Sequence, residues 1–362
     1  MRFPPPEVIA TWPEPNYVDP ERRGLENMII QIVLIILVTI FVAARLYARL
    51  AITKAGLGWD DATIIGAWMF AVGLTVGVVL AMQNYGWDVH IWDLPPRNQV
   101  ISRKVSWMCL LFYGISNCLT KASILIFYLR ILVEKFDKLV TKITLIVVVV
   151  FLTVAIFVLF FECRPFGYYW QILVPGAKGS CIDEGSSMVT ISVITLVLDV
   201  TIFVIPFRSL ARLKIRMSQK LQVLALFSAG LLVIAACSVR VYYSDMVYFK
   251  TYDVTWHGYT AWLWTAVEVH VSIICACVPS CRAFISSWNR SSSQTGRTSI
   301  YPGRTKRNYG HIDGDAGAST MGVPKEGIYS NVTIGGRKID HIKGGATVQM
   351  EVLQYKEGRS EG

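Results

Sequence analysis

Three ionisable residues stand deep inside long apolar runs of this chain: Lys121, Asp199 and Glu268. A charge in hydrocarbon is costly, so such a group faces a partner or a water-filled cavity. A lysine with two carboxylates offers ion pairing, proton transfer or capture of a polar ligand group. Their polar neighbours recur at helical spacing. Tyr113, Asn117, Thr120 and Lys121 share one face at i, i+4, i+7 and i+8. Ser192, Thr195 and Asp199 share another, and Thr265, Glu268, Ser272 and Cys275 a third. His270 lies about 200° around the helix from Glu268 and points elsewhere. These faces imply a polar core in which Lys121 meets one or both carboxylates. That core serves either as a ligand pocket or proton path, or as a closed ion-pair network that fixes helix register.

The elements that must position these residues follow from composition. Of 362 residues, 53% are hydrophobic and only 17% charged, against roughly 25% charged in soluble proteins. The apolar residues gather in seven runs, roughly Met28–Ala44, Ala62–Met82, Val105–Leu129, Ile143–Phe161, Ser186–Phe207, Leu221–Val239 and Gly258–Cys281. Each is long enough to cross about 30 Å of hydrocarbon as a helix. Transmembrane barrel strands alternate and are only about 10 residues long, so they are excluded. The expected fold is an all-α membrane protein, a seven-transmembrane helix bundle in the lipid bilayer.

Lys and Arg in the short loops set the expected direction. Arg45, Arg49, Lys54, Arg130, Lys135, Lys138, Lys142, Arg208, Arg212, Lys214, Arg216 and Lys220 fall on one side. Arg97, Arg103, Lys104, Arg164, Lys178 and Lys250 fall on the other. The richer side is read as cytoplasmic, with the N-terminus outside and the C-terminus inside. Residues 1–27 then form a proline-rich extracellular tail with no cleaved signal peptide, and 28–281 the membrane domain. Residues 282–362, rich in Ser, Gly and Thr, read as a disordered cytoplasmic tail, with Thr347–Tyr355 a partly apolar patch in it. The net charge of +10 reflects loop bias and this basic tail, and no nucleic acid is expected as a partner.

Of the eight cysteines, Cys163 and Cys181 share one outer loop and read as a disulfide in an oxidising compartment, with Cys109 the competing partner. Cys118, Cys237, Cys275 and Cys277 read as packing residues. Cys281, beside Arg282, is a lipidation candidate. Asp60 and Asp61 open the second span on the same side as Arg45 and Arg49, as cap or structural ion-pair candidates. Ala62, Gly66, Gly73 and Gly77 form a small-residue face that admits a neighbouring helix. Trp87 and Trp92 read as interfacial anchors, and Asp88, His90 and Asp93 as a solvated loop. The first and fourth spans show no polar face and read as lipid-facing. The sequons at Asn289 and Asn331 fall on the cytoplasmic side and are expected to be unused. No metal-ligand spacing, phosphate loop or nucleophile–base set is present, so an enzyme is not expected.

These motifs resemble the fungal rhodopsin-domain family of seven-helix membrane proteins. The likeness rests on Gly58-Trp59-Asp60-Asp61, on Gly86 through His90 with Trp92, and on Leu119-Thr120-Lys121-Ala122-Ser123 with Tyr128-Leu129-Arg130. It continues through Cys163, Pro165, Trp170 and Cys181, then Asp199 and Pro206, then Gly230, Ser238 and Arg240. It ends with Trp264, Glu268, the run Ile273 to Pro279, and Arg282. Arg240 joins Asp60 and Asp61 as a structural ion-pair candidate. The family's extracellular cysteine-rich domain, present in some members, is not seen here.

The resemblance implies either a plasma-membrane, receptor-like protein or a member of a secondary-metabolite gene cluster. It does not import retinal: the Schiff base needs a lysine in the seventh span, and there is none. No cofactor is expected. The leading expectation is a receptor-like protein that binds an unidentified small molecule. Coupling to a cytoplasmic G protein rests on analogy, since the sequence lacks an Asp-Arg-Tyr in the third span and an Asn-Pro-x-x-Tyr in the seventh. The alternatives are an auxiliary protein or transporter for a secondary metabolite, and a membrane scaffold.

Overall fold

The computed structural model describes residues 4–52, 56–132, 134–172, 176–211, 217–294, 332–334 and 337–339; side chains at 207–226 and from 280 onward fall outside the description. Seven long helices dominate: α1 (Glu26–Tyr47), α2 (Trp59–Asn84), α3 (Pro96–Ile131), α4 (Lys135–Phe161), α5 (Glu184–Ala211), α6 (Met217–Asp245) and α7 (Val254–Gln294). Each contains a window apolar enough to span a membrane. Residues 299–362 make a separate unit, in which β3 (Val332–Ile334) pairs antiparallel with β4 (Arg337–Ile339).

Successive helices pack side by side, and α7 closes the ring against α1. Two helices also reach across it: α3 touches α2, α4, α5 and α7, and α7 touches α1, α2, α3 and α6. Lys121 and Glu268 therefore sit on the two helices with the most neighbours, and Asp199 sits on α5, which touches α3, α4 and α6. The peripheral helix is α4, whose Ile143, Ile146, Val150 and Phe157 are all exposed to the surrounding medium. In a bilayer these meet lipid, where an apolar surface costs nothing.

The small-residue face of α2 receives α3 closely. A Cβ on Gly77 would meet Cys109 Sγ at 2.7 Å, and one on Gly73 would meet the Phe112 ring at 2.9 Å. Ala62 lies outside this contact and is exposed. The first span is not purely lipid-facing: Asn27 and Gln31 are buried, Gln31 donates to Asn27 Oδ1 at 2.9 Å, and Asn27 faces α7. The Asn27 amide donates to the Tyr259 carbonyl at 2.9 Å, and its backbone N–H donates to the Tyr259 hydroxyl. Two polar residues one turn apart were too sparse a stripe to read against the apolar remainder.

The short loop between α4 and α5 carries β1 (Cys163–Arg164) and β2 (Ser180–Cys181), paired antiparallel and joined by the Cys163–Cys181 disulfide. Cys109 is buried against α2 and unbonded. Also at the disulfide end, the α2–α3 loop is folded inward rather than solvated. Trp87 is buried, stacks on Trp262 at 4.9 Å and donates to Ser102 Oγ at 2.7 Å. It is a packed wall, not an interfacial anchor. His90 stacks between Trp92 and Trp256 and meets Asp253 Oδ2 at 2.5 Å. Asp88 accepts from Arg22, and Asp93 from the Asn16 backbone. The loop thus ties down the segment before α1, which its mixed polar composition did not reveal.

The opposite end is held by a four-residue charge cluster. Buried Arg45 donates to Asp60 Oδ2 at 2.6 Å, to Asp61 Oδ1 at 2.9 Å and to the Ala276 carbonyl at 2.6 Å. Arg49 pairs with both carboxylates. Asp61 Oδ2 also accepts from the Gly58 backbone, so it caps α2 while it pairs. Ser123 on α3 donates to the Asp60 carbonyl. Asp61 thus caps α2 and pairs with arginine, Asp60 pairs with arginine, and the cluster joins α1, α2, α3 and α7.

Candidate functional site

The central helices bring four ionisable residues into two ion pairs. Lys121 on α3 pairs with Asp199 on α5. Glu268 on α7 is fully buried, and its partner is Arg240 on α6, Nε to Oε2 at 2.5 Å. The apolar run of the sixth span ends at Val239, but the helix continues through Asp245 and carries Arg240 into the core. From sequence Arg240 reads only as a structural ion-pair candidate. Its place one residue beyond an apolar run gave no sign that it would take the seventh helix's carboxylate.

Glu268 is saturated with donors. Its Oε1 accepts from the Tyr113 hydroxyl at 2.9 Å and from Asn117 Nδ2 at 2.5 Å. Arg240 also donates to Ser192 Oγ at 2.9 Å and lies over the Tyr113 ring at 4.9 Å. Glu268 thus ties α3, α6 and α7 together, and Arg240 adds α5. Thr120, expected in this core, donates to the Ser116 carbonyl on its own helix. Thr195 likewise donates to Ile191, and Ser272 to the Glu268 carbonyl. His270 faces α2, with Nε2 3.1 Å from Thr75 Oγ1 and Nδ1 2.6 Å from the Ala266 carbonyl, as its position around the helix implied. The carbonyl fixes the proton on Nδ1 and leaves Nε2 to accept from Thr75.

Two cavities meet this layer. The larger, about 200 Å³, opens at the disulfide end; Arg240, Asn117, Ser192 and Thr195 line it with Tyr113 and Thr265. Leu110, Phe151, Leu152, Ile156, Trp87 and Trp262 supply apolar wall. The smaller, about 50 Å³, is lined by Lys121, Asp199, Tyr128, Pro206, Ser272 and Cys275. It has room for a few waters. At the mouth of the larger cavity, Arg103 grips Glu184 with two bonds of 3.0 and 3.2 Å, and the Tyr169 hydroxyl donates to the same carboxylate. Glu162, next to the disulfide, is buried, and neither of its oxygens has a partner among the described residues. Burial, with Glu184 nearby, pushes its carboxyl up to about 7.

Asp199, Cys237 and Glu268 offer ligand atoms within 4.8 Å of one another. Lys121 and Arg240 already neutralise the two carboxylates, so a divalent ion would bring unbalanced charge into a neutral set. Retinal does not fit either. The seventh helix has no lysine, Lys121 is engaged by Asp199, and the space beside it is far too small for a twenty-carbon chain. The side chains of Cys281, Asn289 and Arg208–Lys220 fall outside the description, and Asn331 and Thr347–Tyr355 lie outside the described residues.

A family model, the fungal rhodopsin domain, matches residues 44–287. The chain belongs to the fungal rhodopsin domain family. Its relatives include the fugralins biosynthesis cluster protein 2 of Gibberella zeae, 24% identical over 73% of this chain and 66% of that protein. The wortmanamides biosynthesis cluster protein C of Talaromyces wortmannii is 24% identical over 75% of this chain and 77% of the relative. The satratoxin biosynthesis SC1 cluster protein 4 of Stachybotrys chartarum is 25% identical over 50% and 65%. The chain thus spans just under two thirds of the first and third of these. No solved structure matches. The two ion pairs lie within the matched family domain, as do the linings of both cavities.

Proposed function

We propose that this fungal rhodopsin-domain protein is a receptor-like protein of the plasma membrane that binds a small molecule in the cavity at its disulfide end. The observation that carries the reading is the floor of that cavity. Arg240 and Asn117, which line it, both hold Glu268, the residue that locks three helices. A molecule that bonds Arg240 or Asn117 therefore acts on the joint between α3, α6 and α7. Helix movement at such a joint is the ordinary route by which a ligand biases a bundle toward one of two packings. The disulfide end is taken as extracellular, because that bond needs an oxidising compartment. The role is binding and not catalysis, and a cytoplasmic partner, by analogy a G protein, receives the change.

The test is thermal unfolding of purified protein against fractionated host metabolites. A ligand at 100 times its dissociation constant stabilises by roughly 2.7 kcal/mol. The shift is expected in wild type and lost in Gly114→Leu. Gly114 lines the cavity, and a Cβ there meets nothing closer than Leu152 at 4.0 Å, so the added side chain fills the space without breaking an ion pair. A shift that survives Gly114→Leu, or no shift with any fraction, refutes the reading.

A second reading is favoured by one observation, the pair of cavities on either side of the charged layer. The cluster names of the relatives fit it: an export accessory or transporter for a secondary metabolite, with Lys121, Asp199 and Glu268 as proton carriers. Metabolite flux in proteoliposomes that is unchanged by Glu268→Gln removes it.

A further inference from the structure

The donor and acceptor count at the cavity floor identifies the class of ligand, resting on the proposal that this cavity is a binding site. An arginine carries five N–H donors. Arg240 gives one to Glu268 and one to Ser192, and a third faces Cys237 Sγ at 3.9 Å. Two N–H bonds are left with no acceptor among the described residues, on a side chain 7% exposed that lines the cavity. Asn117 shows the opposite imbalance. Its Nδ2 donates to Tyr113 and Glu268, while its carbonyl oxygen receives no donor from the described residues. The orientation of this amide is fixed by its partner, since a carboxylate only accepts. Arg240 and Asn117 sit on the two oxygens of the same Glu268 carboxylate, so the vacant donors and the vacant acceptor are close neighbours.

Charge narrows the class further. Arg240 with Glu268, Lys121 with Asp199 and Arg103 with Glu184 are each neutral as pairs. A ligand carboxylate would add unbalanced charge beside Glu268 in a low-dielectric site. The walls above are apolar and aromatic. The space, about 200 Å³, is below the roughly 300–1,000 Å³ typical of sites for drug-sized ligands.

We propose that the cavity binds a compact, uncharged, apolar molecule bearing a carbonyl with an adjacent hydroxyl or N–H. The carbonyl oxygen takes the vacant Arg240 donors, the hydroxyl or N–H donates to Asn117 Oδ1, and the apolar body fills the space that α3, α4, α5 and α7 enclose.

Four matched bicyclic probes test this: 2-naphthamide, 2-acetylnaphthalene, 2-ethylnaphthalene and 2-naphthoate, titrated into wild-type protein in nanodiscs. A hydrogen bond to a charged donor is worth roughly ten- to hundred-fold in affinity. The amide is expected to bind at least ten-fold tighter than the ethyl compound and than the naphthoate, with the acetyl compound between. Arg240→Lys, which keeps the charge and loses the fork, is expected to erase the preference for carbonyl over ethyl. Gly114→Leu is expected to weaken all four together, and it localises binding even if Arg240→Lys fails to fold. Equal affinity of amide and ethyl, or tighter naphthoate, overturns the ligand class and leaves cavity binding standing. Binding of a metabolite fraction without binding of any probe does the same. Silence of both probes and fractions overturns the underlying function.

Discussion

The most informative perturbation is Glu268→Gln, read in a cycle with Arg240→Met. Glu268 is fully buried and receives Tyr113, Asn117 and Arg240 at 2.9, 2.5 and 2.5 Å. Glutamine keeps the shape. Its oxygen still accepts from Tyr113 and Asn117, but its amide N–H₂ then faces Arg240 Nε–H, donor against donor. The two ion pairs, neutral in the wild type, become a set with one excess positive charge. Removing one partner of a buried pair costs about 3–5 kcal/mol, most of it the penalty on the charge left behind. Arg240→Met alone strands Glu268 and falls in the same range. Together the two changes remove both charges and leave an amide served by Tyr113 and Asn117. The double variant is expected within about 2 kcal/mol of wild type, because neutral replacements of buried pairs are often close to neutral in stability. The assay is equilibrium unfolding in mixed micelles for all four proteins, with the coupling taken from the cycle. A loss below about 1 kcal/mol for Glu268→Gln would show that the carboxylate is not held as described. A double variant whose losses simply add would refute the argument from stranded charge.

Three further outcomes follow from the same geometry. Arg45→Lys is expected to destabilise by about 2–4 kcal/mol, since a point charge cannot reach Asp60, Asp61 and the Ala276 carbonyl at once; broadened spin-label distances between the ends of α1 and α7 would report it. Glu162 makes the disulfide end pH-sensitive. Its folded value of about 7 lies above the ordinary 4.5, so folding favours the protonated form. That stabilisation is complete below about pH 4.5 and lost as pH rises through 7. Unfolding midpoints from pH 5 to 8 should therefore decline in wild type and flatten in Glu162→Gln, and an equal slope in both refutes the assignment. Gly77→Val is expected to lower the yield of folded protein, because any Cβ there meets Cys109 Sγ at 2.7 Å; the companion Cys109→Ala should restore part of it in a thermal-unfolding assay.

The sequence by itself determined the number of spans, the small-residue face and the identity of Lys121, Asp199 and Glu268. Hydrocarbon makes every unpaired charge costly, so an ionisable residue in an apolar run is conspicuous and informative without any structure. The loop disulfide was legible for a related reason, since two cysteines lay in one short outer loop. Partner choice was not legible. Among the described residues Lys121 pairs with Asp199, and Glu268 takes Arg240 instead. Pairing between helices depends on how far each is rotated and shifted along the bundle axis, and periodicity within one helix carries no such information. Arg240 stood at the edge of its apolar run, where a charge costs little and so signals little; only the continuation of α6 placed it in the core. Trp87 and the loop around His90 carried the composition of an ordinary membrane interface. The inward fold that makes Trp87 a cavity wall comes from contacts with the segment before α1 and with Asp253 and Trp262 at the start of α7, the latter more than 160 residues away in sequence. The site is therefore a tertiary property: local chemistry supplied its charges, and the packing of α3, α5, α6 and α7 decided which of them meet and what space remains above them.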